Sequence, residues 1–89
     1  MSVVLDIGAD IGALVLYTPA DMDDWEIEIS RDGEKRTHSQ VHHRETGDYA
    51  AVYPSLPAGD YAIWREDGEQ AMTVTITGGS VTNCRWPAE

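Results

Sequence analysis

Three histidines, the side chains best suited to metal binding or proton transfer near neutral pH, lie close together at His38, His42 and His43. In an extended strand, His38 and His42 share one face and His43 points to the other. Positions four apart in a strand are separated by about 13 Å, which is too far for one metal ion. A bulged strand would shorten this distance, with Glu45 or Asp48 as a third ligand. The pattern favours a polar edge strand, with a metal site at His38 and His42 as the alternative.

A second group of candidate ligands is the acidic stretch Asp21-Met22-Asp23-Asp24. Calcium binds several carboxylate and carbonyl oxygens, and such a stretch supplies carboxylates. The spacing departs from the EF-hand loop, because Glu26 stands where that loop has its glycine. We therefore interpret the stretch as a solvated acidic loop or a single helical turn, and we predict no metal and no cofactor.

Candidate nucleophiles lack the partners that a catalytic site requires. The sequence contains no G-x-S-x-G motif to expose a serine at a nucleophile elbow. Cys84 falls on a core-facing strand position, where thiols are usually inert. Catalysis would require carboxylates such as Asp6 and Asp10 to converge with His38 in a pocket. We predict that the protein is not an enzyme.

The charge balance argues against nucleic acid and membrane partners. The 89 residues carry a formal net charge of -10, with 16 acidic residues and only 6 scattered basic residues. Duplex nucleic acid and anionic lipid bind clustered Lys and Arg, so both would be repelled. We expect an unidentified protein partner, and a monomer or a weak homodimer formed through an edge strand.

The cysteine content and the N-terminal segment predict a cytoplasmic location. Cys84 is the one cysteine, so no internal disulfide can form, whereas small secreted domains usually depend on disulfides. The segment from Met1 to Asp6 has no basic residue and no long apolar run, unlike a signal peptide.

The order of apolar and polar residues indicates β-strands. In the segment Trp25-Glu26-Ile27-Glu28-Ile29-Ser30, the apolar side chains are predicted to face a core and the polar ones to face solvent. The segment from Ala71 to Thr77 alternates in the same way, which is typical of antiparallel sheets with one solvated face. Turns are predicted at Arg31-Asp32-Gly33-Glu34, at Asp67-Gly68 and at Gly78-Gly79, where the last turn closes a hairpin.

Further β-strands are predicted along the rest of the chain. Val3 to Ile7 and Ala13 to Tyr17 are predicted to form an N-terminal hairpin, and Lys35 to Glu45 a polar strand. No segment has a helical apolar stripe. We predict an all-β fold, in which residues 1–89 form a single small antiparallel β-sandwich of about seven to eight strands with Greek-key topology.

The second half of the chain resembles the transthyretin-like or prealbumin-like sandwiches, which include collagen-adhesin B-type repeats and carboxypeptidase regulatory-like domains. The resemblance is carried by Leu56-Pro57-Ala58-Gly59-Asp60-Tyr61 and by the Thr-Val-Thr-Ile-Thr-Gly-Gly pattern from Thr73 to Gly79, continuing to Val81. It covers roughly the last 40 residues and concerns the fold, because these modules mostly act in binding, spacing or adhesion. The resemblance implies a prealbumin-like sandwich.

An outward-facing tryptophan is the best candidate contact point. Tyr61 and Ile63 are predicted to face inward, which turns Trp64 outward beside Thr73 and Thr75 of the next strand. An exposed indole beside a row of threonines can stack on a sugar ring or on an apolar side chain of a partner. We therefore assign partner binding to Trp64, Thr73 and Thr75.

These observations favour a non-enzymatic soluble module that acts in protein interaction or as an accessory domain. The alternative is binding of a small ligand, either a carbohydrate on the Trp64 face or a metal at His38 and His42.

Overall fold

Two four-stranded β-sheets stack face to face in the computed structural model, which describes residues 7–87. Within this range there is no α-helix, and a 3₁₀ turn at Ala20–Met22 is the one helical element. The strands in chain order are β1 (Ile11–Thr18), β2 (Glu26–Arg31), β3 (Thr37–Gln40), β4 (His42–His43), β5 (Tyr49–Pro57), β6 (Gly59–Trp64), β7 (Gln70–Ile76) and β8 (Val81–Arg85).

The strand order confirms the predicted small all-β sandwich of about eight strands. The first sheet has the order β4-β5-β1-β8, and the second sheet has the order β3-β2-β6-β7. All pairings between these strands are antiparallel except that of β1 with β8, which is parallel. No helix in residues 7–87 is long and apolar enough to span a membrane.

The core lies between the inner faces of the two sheets, where the predicted alternation buries every second side chain. Leu14 and Leu16 of the first sheet and Ile29 and Ile63 of the second are fully shielded from solvent. The other buried members of the same cluster are Met22, Ile27, Val41, Ala51, Tyr53, Leu56, Tyr61 and Ile76. The inward direction predicted for Tyr61 and Ile63 is therefore confirmed.

A hydrogen bond inside the core joins the two sheets. The hydroxyl of Tyr53, on β5, donates to the carbonyl oxygen of Ile27, on β2, at 2.6 Å. The side chain of Tyr53 is almost completely buried. Burial raises the pKa of the Tyr53 hydroxyl well above its usual range, so the group keeps its proton and remains a donor. A shift of one sheet relative to the other would break this hydrogen bond and leave a buried hydroxyl without a partner, which is costly. The hydrogen bond therefore favours the observed alignment of the two sheets.

The segment Leu56-Pro57-Ala58-Gly59 connects the two sheets. Strand β5 continues to Pro57 in the first sheet, and β6 then begins at Gly59 in the second sheet. The Tyr61 hydroxyl donates to the carbonyl oxygen of Pro57 at 2.6 Å, and Arg31 Nη1 donates to that of Ala58 at 2.9 Å. Hydrogen bonds from the side chains of Tyr61 and Arg31 therefore stabilise this connection.

The prediction of a hairpin at Gly78-Gly79 is wrong, because β7 and β8 belong to different sheets. The chain crosses between the sheets at this point, and β8 then runs parallel to β1. The crossing brings backbone against backbone. A Cβ atom on Gly78 would lie 2.1 Å from the carbonyl oxygen of Ala9, and one on Gly12 would lie 2.4 Å from that of Thr77. The two glycines permit a contact between segments that no other residue type allows.

The polar segment predicted as one strand from Lys35 to Glu45 is divided between the two sheets. Strand β3 ends at Gln40 in the second sheet, and β4 begins at His42 in the first. Val41 between them is fully buried, and its N–H donates to the carbonyl oxygen of Trp25 at 2.8 Å. The chain therefore passes from the second sheet to the first at a single buried apolar residue, Val41.

Two side chains of the segment 25–30 do not follow the predicted alternation. Trp25 lies before the start of β2 and is 42% exposed instead of buried. Ser30, predicted to face solvent, is buried with 7% exposure, because Trp64 lies over it. In the predicted N-terminal hairpin, the segment from Val3 to Asp6 lies outside the described residues.

We predict that Gly12→Ala destabilises the protein by about 1–3 kcal/mol, because the added methyl group overlaps the Thr77 carbonyl oxygen and the Ile76 side chain. Gly8→Ala is the matched control, since a Cβ at Gly8 meets no described atom within 4 Å. Its effect should stay within about 0.5 kcal/mol. Urea denaturation measures both. Equal stability of the two variants would contradict the close contact.

Candidate functional site

The structure separates the three histidines. His38 lies on β3 in the second sheet, whereas His42 and His43 lie on β4 in the first. All three are exposed, and the ring of His43 stacks on that of Tyr49 with centroids 4.5 Å apart. Among residues 7–87, no group of three or more His, Cys, Asp or Glu side chains is placed to hold a metal ion. The geometry therefore gives no support to a metal site at His38 and His42.

Two side chains that could act as nucleophiles, Cys84 and Ser39, are engaged in packing and in hydrogen bonding, respectively. Cys84 packs against the core from β8, and burial raises the pKa of its thiol above the usual value. Less thiolate forms at neutral pH as a result, which lowers its reactivity. The Ser39 hydroxyl donates to the carbonyl oxygen of Val52 at 2.7 Å. Asp6, whose convergence with Asp10 and His38 catalysis would require, lies outside the described residues.

Trp64 points to the outer face of the second sheet and has two intramolecular partners. Its indole N–H donates to Ser30 Oγ at 3.0 Å. The guanidinium of Arg36 lies over the indole ring, 4.2 Å from the centroid, and donates to a carboxylate oxygen of Glu28 at 3.0 Å. Trp64 is therefore half-buried, with one ring face covered.

The two threonines assigned with Trp64 lie on β7, next to β6. Thr73 pairs with Ala62, and Thr75 pairs with Asp60. The Thr75 hydroxyl donates to a carboxylate oxygen of Asp60 at 2.7 Å. Trp64 itself pairs with Gln70, so Thr73 is a diagonal neighbour, whereas Thr75 is opposite a residue four positions from Trp64 along β6. Partner binding by Trp64, Thr73 and Thr75 stays a prediction.

A second groove, larger than the one beside Trp64, lies at the end of the sandwich where β1 and β8 end and β2 begins. We call it the end groove. Three aromatic side chains line it, those of Tyr17, Trp25 and Trp86. Pro19 and Pro87 add further apolar surface. The groove forms here because β1 and β8 run parallel and bring Tyr17 and Trp86 to the same end of the sandwich. At this end the backbone N–H of Trp86 donates to the backbone carbonyl oxygen of Tyr17 at 2.8 Å.

Two arginines of the chain contact the aromatic rings of the end groove. The guanidinium of Arg85 lies 5.7 Å from the ring centroid of Tyr17, and that of Arg65 lies 5.5 Å from that of Trp86. Both distances are within the range of cation–π interaction. Trp25 differs from the other two rings, because among residues 7–87 no guanidinium lies over it. Its 42% exposure leaves the indole accessible to a ligand.

The end groove could not be predicted from the two-residue alternation, because that pattern places Trp25 in the core. A signal was nevertheless present. Trp25 directly follows the acidic stretch that ends at Asp24, and Pro19 ends the preceding strand. A tryptophan between a loop and a strand is free to turn toward solvent, because strand alternation does not apply to it.

Comparison with known proteins identifies no family. No protein-family model and no curated protein matches the chain. Among solved structures, the chain is similar to part of a leucine-rich repeat protein from Bacteroides thetaiotaomicron, with a TM-score of 0.51 and 15% sequence identity. The match covers 90% of this chain but only 12% of that protein. At this identity the similarity supports the fold alone.

We predict that Ser30→Ala lowers the free energy of unfolding by about 1 kcal/mol, because the half-buried indole N–H of Trp64 loses its acceptor. Ser55→Ala, at an exposed position of β5, is the control and should change stability by less than about 0.5 kcal/mol. Thermal and urea denaturation compare the two. If Ser30→Ala were as stable as the control, the hydrogen bond would not hold Trp64.

Proposed function

We propose that the protein is a non-enzymatic interaction module that binds a partner protein through the end groove. The observation that supports this most is the exposed indole of Trp25 beside Tyr17 and Trp86 in one open groove. Tryptophan and tyrosine are the side chains that most often dominate binding energy at protein interfaces. Tyr17 lies on β1, Trp86 directly follows β8 and Trp25 directly precedes β2, so residues at strand ends of both sheets form the groove.

The chemistry of the described residues supports a binding role over a catalytic one. The Cys84 thiol has a raised pKa, the Ser39 hydroxyl is hydrogen-bonded to backbone, and His43 is stacked on Tyr49. An active site needs a nucleophile, a base and an orienting group within hydrogen-bond reach of one another. These three residues instead have separate partners that serve the fold.

Three further aspects of the proposal derive from the sequence. The Leu56-Pro57-Ala58-Gly59-Asp60-Tyr61 segment and the Thr-rich β7 support a prealbumin-like module, a class that mostly binds, spaces or adheres. The single cysteine, Cys84, supports a cytoplasmic location. The net charge of -10 supports a monomer, or a weak homodimer in which an edge strand such as β7 or β8 pairs with its copy.

The alternative function is carbohydrate binding on the Trp64 face. It is supported by the outward indole and the neighbouring Thr73. The guanidinium of Arg36, however, covers one face of this ring, so a sugar would have to displace it. This cost makes the end groove the better candidate.

The proposal predicts that Trp25→Ala reduces capture of a specific partner by at least about fivefold, which corresponds to the loss of one aromatic contact. The wild-type protein and the variant are used as bait in an extract of the native host, and bound proteins are quantified by mass spectrometry. Trp64→Ala tests the other candidate surface, and retention of the partner by this variant would favour the end groove over the Trp64 face. A partner captured equally by wild type and Trp25→Ala, or lost only with Trp64→Ala, would contradict the assignment to the end groove.

A further inference from the structure

The residues that line the end groove carry charges of both signs. Arg65 and Arg85 are the basic residues, and Asp21, Glu66 and Asp67 are the acidic ones. The three acidic side chains are exposed to solvent. Each arginine already makes a cation–π contact with an aromatic ring of the chain itself. A cation–π contact leaves the charge of each arginine in place, so the three acidic and two basic side chains give the groove lining a net formal charge of -1.

The sequence around Trp25 is rich in acidic residues, and of these Asp21 lines the groove together with Trp25. In the segment from 21 to 26, four of the six residues are acidic, and Trp25 is the aromatic residue among them. Indole faces attract cations through the ring quadrupole, and nearby carboxylates strengthen that attraction. The arrangement around Trp25 thus combines the two features by which proteins recognise a guanidinium group.

The chain itself shows how guanidinium groups bind in this groove. Arg85 lies over Tyr17 and Arg65 over Trp86. The ring of Trp25 completes the aromatic lining and, within residues 7–87, has no such guanidinium over it. A cationic side chain from a partner would give the third ring the same kind of contact that the first two have.

We propose that the end groove binds an extended basic peptide of a partner protein, and that an arginine of this peptide stacks on Trp25 beside the carboxylate of Asp21. This inference rests on the proposed function and adds the chemistry of the partner. The net charge of -10 attracts a cationic partner over long range and raises its association rate. An acidic partner could pair with Arg65 or Arg85, but it would have to overcome the repulsion of the whole chain.

Arginine is favoured over lysine by the geometry of the contact. A guanidinium is planar, stacks on indole rings and is more weakly hydrated than an ammonium group. It can lie on the exposed face of Trp25 while its N–H groups donate to the carboxylate of Asp21. A lysine would retain the charge but lose the stacking, and citrulline would retain the shape but lose the charge.

The test measures the binding of a short fluorescein-labelled peptide of alternating Arg and Gly by fluorescence anisotropy. Wild type should bind this peptide more tightly than the matched lysine peptide, and the citrulline and glutamate peptides should not bind. Trp25→Ala should weaken binding of the arginine peptide by roughly five- to tenfold, the range expected for one partly exposed cation–π contact. Ser55→Ala, at an exposed position of β5 that does not line the groove, is the control and should bind as wild type does.

Two charge variants distinguish peptide binding in the end groove from a general attraction of the peptide to the acidic chain. Asp21→Asn and Asp32→Asn each remove one negative charge, but Asp32 lies in the turn after β2, at the other end of that strand. Asp21→Asn should weaken binding by about two- to fivefold, and Asp32→Asn by less, because contact charges act more strongly than distant screened ones. Affinity should fall as sodium chloride rises from about 50 mM to about 300 mM.

Three results would overturn the inference. Equal weakening by Asp21→Asn and Asp32→Asn, with no effect of Trp25→Ala, would mean that any polycation binds to the acidic surface. Binding of the arginine peptide that is lost only with Trp64→Ala would place the site on the other face. Binding of the glutamate peptide alone, lost with Trp25→Ala, would reject a basic partner while leaving the proposed docking function of the end groove intact.

Discussion

The apolar inner faces of the two sheets must stay in contact, and the hydrogen bond from Tyr53 to Ile27 ties them together within that contact. Apolar burial supplies most of the free energy of folding but is not directional. The Tyr53 hydroxyl adds a direction, because its proton has one acceptor in the opposite sheet. The hydrogen bond thereby fixes β5 of the first sheet relative to β2 of the second, and the end groove lies beside the start of β2.

The glycine contacts act together with this alignment. Gly12 and Gly78 let the connection after β7 pass against the start of β1, and β8 can then pair in parallel with β1. The parallel pairing carries Trp86 to the same end of the sandwich as Tyr17. The position of Tyr17 and Trp86 in the candidate binding surface is therefore a consequence of how the two sheets are connected.

The sequence predicted the elements well and their partners poorly. Two-residue alternation determines which side chains of a strand share a face, so the burial of Ile27, Ile63 and Tyr61 could be predicted. The parallel partner of β8 depends on contacts between distant segments, which no local pattern reveals. Trp25 was misassigned because it lies just before β2, where alternation does not yet apply. The end groove was missed for both reasons, since it combines Trp25 with the end of β8.

The most direct test of this account is the heteronuclear NMR spectrum of the indole N–H groups, because the three tryptophans report on two different surfaces. Titration with the arginine peptide is expected to shift the Trp25 signal most and the Trp86 signal to a smaller extent. The Trp64 signal should remain in place, since its N–H is held by Ser30. A shift of the Trp64 signal without a shift of the Trp25 signal would contradict the assignment of binding to the end groove.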